Sequence, residues 1–207
     1  MSVVPSIKGT VFRFIAEDVS KAIANGKIPQ EMANRYLEQD DLVLMQRRIL
    51  PVEWVDVRVY ARAISLLRDT LGNGQDLYIV KRGARAAEAL LESGVYGMLE
   101  LFRNPGFRKA TSADRFRAYG DDLRTMSKLS STLNNFSHQV IGIDPDQPDR
   151  YRLEIHDAHV YPDSLAWANL GFLNRLFEEM GDKDLFRWSR VGETEIHYTM
   201  VRPPNLG

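Results

Sequence analysis

Apolar residues recur every three to four positions through most of the first 130 residues and at every second position thereafter, so the chain reads as helices followed by strands. Phe12, Ile15, Val19, Ala22 and Ile23 form the stripe of a first helix, with Thr10 placed to cap it and Asn25-Gly26 to close it. Pro29 opens a short second helix running through Tyr36 and Leu37. After the apolar run Leu42 to Met45, Pro51 opens a longer helix. Its face is Val57, Tyr60, Ile64, Leu67 and Leu71, and Gly72-Asn73-Gly74 stops it. A fourth helix carries Leu77, Val80, Ala84, Ala87 and Leu91, and the small residues Gly83, Ala84 and Ala87 would let another helix approach closely. Ser93-Gly94 breaks it before an apolar segment from Val95 to Phe102, Asn104-Pro105-Gly106 makes a turn, and an arginine-rich helix runs from about Ser112 to Ser130.

From there the period changes. Tyr151, Leu153 and Ile155 alternate with Arg152, Glu154 and His156, and Ile196, Tyr198 and Met200 alternate with Glu195, His197 and Thr199, the signature of half-buried strands. Asp144 to Asp149 reads as a long hairpin connection whose prolines block continued pairing. Pro162-Asp163 begins a helix apolar on most sides, from Leu165 to Phe177, which predicts burial on two faces. Arg190 to Glu193 is the turn between the last two strands. The pattern predicts an α+β fold in one domain over 1–207. Residues 1–130 form a helical part, and 131–207 a strand-rich part with an antiparallel sheet in β-β-α-β-β order.

Composition adds mainly exclusions. The 207 residues are 44% hydrophobic and 27% charged, ordinary for a globular chain. The 27 basic and 28 acidic side chains nearly cancel, so no whole-molecule field favours nucleic acid or an anionic membrane. There is no cysteine, which removes disulfides, thiolate nucleophiles and thiolate metal sites together. The start lacks an export signal and no stretch is apolar enough to span a bilayer, so a cytoplasmic protein without a membrane span is expected.

Several short segments carry a family resemblance: Ile7-Lys8-Gly9-Thr10-Val11, Pro51-Val52-Glu53, Asn73-Gly74 leading to Arg82-Gly83-Ala84-Arg85, Gly94-Val95-Tyr96, Asn104-Pro105 and Asn169-Leu170-Gly171-Phe172-Leu173. In this order they resemble the superfamily of heme nitric-oxide-binding domains and 4-vinyl reductase-type small-molecule-binding domains. The nearest resemblance is to an uncharacterised paralogous family of bacterial proteins abundant in myxobacteria. The resemblance implies small-molecule sensing in bacterial signalling. It also implies, for heme-binding members, an axial histidine on a late helix and a Tyr-x-Ser-x-Arg motif for the propionates. This chain departs from both: His138, His156 and His197 fall in predicted strands, His159 precedes Pro162, and Trp188-Ser189-Arg190 is only a partial echo. The paired zinc-associated cysteines of some relatives are absent as well. No cofactor is therefore expected.

Candidate chemistry is sparse. Glu154, His156, Asp157 and His159 are the densest set of potential metal ligands, but strand alternation sends the first two to one face and the last two to the other. A polar strand face is the simpler reading, and no metal is expected. Asp144, Asp146 and Asp149 begin like a calcium loop but lack its glycine and distal glutamate. Arg108, Arg117 and Arg124 are the candidates for gripping an anion or an acidic partner, although Asp114, Asp121 and Asp122 lie among them. Trp54, Tyr60, Tyr78, Trp167 and Trp188 are the candidate lining of a pocket for a small apolar or amphipathic ligand, in competition with plain core roles. With no nucleophile motif present, the expected function is a non-catalytic small-molecule-sensing or adaptor domain. A protein partner and a homodimer through edge strands near Phe136 or Thr194 are expected with it. The alternative is an enzyme with an acid/base site at His156 and Asp157, assisted by Arg190.

Overall fold

The computed structural model describes residues 4–92, 111–179 and 181–204. The predicted break at Ser93-Gly94, the apolar segment after it, the turn at Asn104 and the candidate Arg108 lie outside the described residues. The fold is α+β, with seven helices and two antiparallel sheets among the described residues.

The chain begins with a strand that periodicity did not reveal. Strand β1 (Ser6–Lys8) pairs antiparallel with β2 (Trp54–Asp56), with Ile7 opposite Val55. Pro51 therefore opens a turn rather than a helix. The following helix begins at Val57, where the Asp56 carboxylate accepts from the Arg58 N–H at 2.8 Å and supplies the cap. Helix α1 (Gly9–Ala24) starts directly from β1 with Lys8 as its cap position. Thr10 is already inside it, and its hydroxyl donates instead to the Pro51 carbonyl at 3.0 Å. A Cβ at Gly9 would sit 2.0 Å from the Leu50 carbonyl oxygen, so only glycine lets the start of α1 lie against that turn.

Helices α2 (Gln30–Tyr36) and α3 (Gln39–Gln46) lead to α4 (Val57–Leu71). α3 opens with a capping box between Glu38 and Asp41, and the buried Asp41 carboxylate receives Arg62 of α4 at 2.7 and 2.8 Å. Helix α5 (Asp76–Glu92) buries Ile79, Gly83 and Ala87; of the predicted stripe Ala87 is buried, Val80 and Leu91 pack against the core, and Leu77 is exposed. The smallest residues take the inward face because another helix lies against it.

After α6 (Ser112–Ser130), strands β3 (His138–Asp144) and β4 (Gln147–His156) form a hairpin. Its turn is tighter than the prolines suggested: Asp144 pairs with Gln147, and the register shifts by a bulge between Ile143 and Asp144. Pro148 is accommodated beside that bulge, where ladder bonds are already interrupted. A 3₁₀ turn (Ala158–Val160) and helix α7 (Asp163–Glu178) follow, and then β5 (Phe186–Arg190) and β6 (Ile196–Met200). The four strands lie in the order β3-β4-β6-β5, all antiparallel.

Tyr151, Leu153 and Ile155 of β4 and Ile196, Tyr198 and Met200 of β6 are buried, as the alternation predicts. Helix α7 joins the two parts. One side meets α5, and on the other Asn174 bonds both backbone groups of Phe186 on β5.

Candidate functional site

The inner face of the sheet, α6 and α7 line a partly open cavity of about 30 Å³. Leu123 and Met126 come from α6, Leu153 and Ile155 from β4, and Phe172 and Leu173 from α7. Polar tips are few: Ser127, Ser130, Gln139, Asn169 and the Tyr198 ring. An apolar lining with a few convergent polar groups is the ordinary make-up of a small-molecule site, but this volume is on the scale of roughly one water molecule. The side chains nearly fill it.

Behind the cavity lies a buried polar knot. Asn169 donates to the Tyr161 hydroxyl, and the Tyr198 hydroxyl donates to the Ala166 carbonyl at 3.0 Å, with both tyrosines buried. Burial pushes the ionisation of Tyr60, Tyr161 and Tyr198 well above the ordinary tyrosine range, so all three remain neutral donors and acceptors. Sequence reasoning singled out Tyr60 alone. Tyr161, Asn169 and Tyr198 belong to three separate elements, and only the fold brings them together.

The five aromatic candidates do not share one pocket. Trp54 is 45% exposed on β2, with the Lys8 ammonium 3.9 Å from its ring centroid. Tyr60 is core, and Tyr78 packs at the core's edge under Arg82. Trp167 and Trp188 do meet, edge to face at 5.1 Å, between α7 and β5. The Trp188 indole N–H is buried there with no acceptor among the described residues. None of these five lines the cavity between α6, α7 and the sheet.

Arg117 and Arg124 lie seven residues, about two turns, apart on α6 and so share a side of it. Each arginine is paired three residues back, with Asp114 at 3.3 Å and Asp121 at 2.7 Å. Exposed pairs of this kind contribute about 0.5 kcal/mol or less and hold the arginines loosely.

The proposed acid/base set does not assemble. His156 points to the outer face of the sheet beside Glu154, and Asp157 is exposed and bonded to His138 at 3.0 Å. Arg190 belongs to the inner face, where Asp163 and the carbonyls of Ala158 and Tyr161 occupy its guanidinium. His159 is exposed in the 3₁₀ turn and does not join the other potential ligands. Asp144 of the acidic turn is buried at the bulge, accepting from the Asp146 N–H, with Arg152 at 3.7 Å.

No family model and no curated protein matches this chain. Among solved structures it is similar to the crystal structure of an Fe(II) unliganded H-NOX protein of K. algicida, a mutant form. The TM-score is 0.59 at 12% identity, over 97% of this chain and 98% of that one. The chain has an H-NOX-like fold. At this identity the likeness fixes the path of the backbone, and the side chains decide the rest. Among the described residues they offer a heme neither an interior histidine nor space. All four histidines lie on the sheet or in the turn after it, Arg190 is already engaged, and the cavity between α6, α7 and the sheet has no room for a macrocycle. The H-NOX-like fold here holds a small site between α6, α7 and the sheet that no histidine lines.

Proposed function

We infer that this chain is a small-molecule-sensing domain of bacterial signalling or regulation that works without heme, and that it acts as an adaptor for a protein partner. The cavity between α6, α7 and the sheet carries this reading: it is apolar, has a few convergent polar tips, and sits where the helical part meets the strands. The end-to-end likeness to a protein described by its iron and its unliganded state supports a ligand-responsive role. The ligand is a small apolar or amphipathic molecule.

A molecule larger than water requires α6 to move off the sheet, against the packing of Phe116 on Tyr151 and of Tyr119 on Phe177. The Ser127 hydroxyl reaches the Gln139 carbonyl only at 3.4 Å, and the Tyr151 hydroxyl holds the Phe116 carbonyl at 3.0 Å. Ligand binding would thus shift a closed-to-open equilibrium of α6, presenting an altered surface to a partner. The arginines on that helix, Arg117 and Arg124, are the groups an acidic partner would meet. A homodimer through the free edge of β3, where Val140 and Ile143 are exposed, belongs to the same reading.

Native mass spectrometry of the protein as purified from cells tests the ligand. A stoichiometric small-molecule adduct is expected in the wild type, absent from Ser127→Leu, whose larger side chain would take up the cavity's volume. A wild-type protein without any adduct or extractable molecule would count against sensing, and so would an adduct that survives the substitution unchanged.

A further inference from the structure

The outer face of the sheet carries a duplicated tripeptide. Glu154-Ile155-His156 on β4 and Glu195-Ile196-His197 at the start of β6 are identical in sequence. The strands are antiparallel and in a register that sets Ile155 opposite Ile196 and Glu154 opposite His197. The two isoleucines are fully buried on the inner face. Alternation therefore sends both glutamates and both histidines to the other side, related by a local twofold through the isoleucine pair.

The side chains converge. One ligand atom each of Glu154, Glu195 and His197 lies within 4.8 Å of the others. His197 Nε2 is 2.5 Å from the Glu195 carboxylate, and His156 Nε2 is 3.3 Å from Oε2 of Glu154. His156 is supported from behind by the ring of His138, stacked at 5.1 Å and itself held by Asp157. The other oxygen of Glu154, Oε1, accepts from Arg152 Nε at 2.8 Å, which fixes the carboxylate and leaves Oε2 turned towards the imidazole.

We propose that the paired Glu-Ile-His segments form a binding site for one divalent first-row transition-metal ion, with Glu154, Glu195 and His197 as ligands and His156 as the fourth. Two imidazoles and two carboxylates are a donor set suited to zinc, iron(II) or manganese, whereas calcium and magnesium prefer oxygen alone. Binding needs neutral imidazoles and ionised carboxylates, so it would strengthen as pH rises. It would also clamp β4 to β6 on the face opposite the interior cavity. The site is independent of the ligand-sensing reading, so either can fail without the other.

Zn²⁺ titration of the chelator-stripped full chain by calorimetry tests the site. One Zn²⁺ per chain is expected. His197→Ala and Glu195→Gln should each weaken binding at least about tenfold, in line with the loss of one ligand from such a site. His159→Ala, a histidine off this face, should leave it unchanged. Unaltered circular dichroism in each variant ties the loss to the site, and Co²⁺ added to the wild type should give a visible absorption spectrum that His197→Ala abolishes. Absence of stoichiometric Zn²⁺ binding, or binding retained in a His197→Ala/Glu195→Gln double variant, would overturn the proposal.

Discussion

Gly171→Ala is expected to destabilise the protein by about 3 kcal/mol, although alanine in place of glycine ordinarily strengthens a helix by about 1 kcal/mol. The inversion follows from where α5 and α7 cross. A Cβ on Gly171 would lie 1.9 Å from the Val80 carbonyl oxygen, and a Cβ on Gly83 would lie 1.8 Å from the Ala168 carbonyl oxygen. Both obstacles are backbone, so no side chain can swing aside, and the helices must separate. Gly83→Ala should cost a similar amount. The double variant should cost clearly less than the two together, because helices already pushed apart admit the second methyl group. Gly142, on the outer face of β3 with nothing within 4 Å of a built Cβ, is the control. Its alanine variant should change stability by less than about 0.5 kcal/mol. Urea unfolding of the four variants measures all of this, and a Gly171→Ala protein as stable as the wild type would show that the helices do not cross this closely.

Asp122→Asn is expected to stabilise the protein near pH 8 and to leave it nearly unchanged near pH 4. Asp122 lies on α6, is 7% exposed, and one of its oxygens is buried with no hydrogen-bond partner among the described residues. Burial raises its pKa from 3.8 to about 6, and the neighbouring Asp121 charge adds to the effect. A carboxyl whose folded-state pKa is raised contributes stability that is fully present below pH 3.8 and is lost as pH rises through about 6. The gap corresponds to at most about 3 kcal/mol. The amide cannot ionise, so the difference between variant and wild type should grow between those two pH values and level off above. A difference independent of pH would show that Asp122 is not a buried, poorly solvated acid. The helix that carries this buried acid also walls the cavity, which is where an element that opens on ligand binding would be expected to store weakness.

Much of this fold was legible in the sequence because long elements repeat their signal. Phe12, Ile15, Val19 and Ala22 on α1, Val57, Tyr60, Ile64 and Leu67 on α4, and the alternation on β4 and β6 each span enough residues for a period to show. Strands β1 and β2 are three residues each, too short for alternation, and their pairing over some fifty residues leaves no local trace. On α5 the small residues Gly83 and Ala87 marked the face that meets α7, whereas Leu77, placed on the stripe for its size, lies exposed.

The candidate sites were harder to read for a different reason. Leu123, Leu153, Asn169 and Tyr198 meet only through tertiary packing, and the two Glu-Ile-His segments become a cluster only once the β4 to β6 register is fixed. The aromatic residues picked for size are scattered because large rings serve a core wherever one is needed.

Methyl-detected NMR during titration with 1-butanol, a small amphipathic probe, tests the interior site most directly. The account predicts saturable shifts concentrated on the methyls of Leu123, Met126, Leu153, Ile155 and Leu173, and their loss in Ser127→Leu. Shifts that fail to saturate, or that spread evenly over the core methyls, would contradict it.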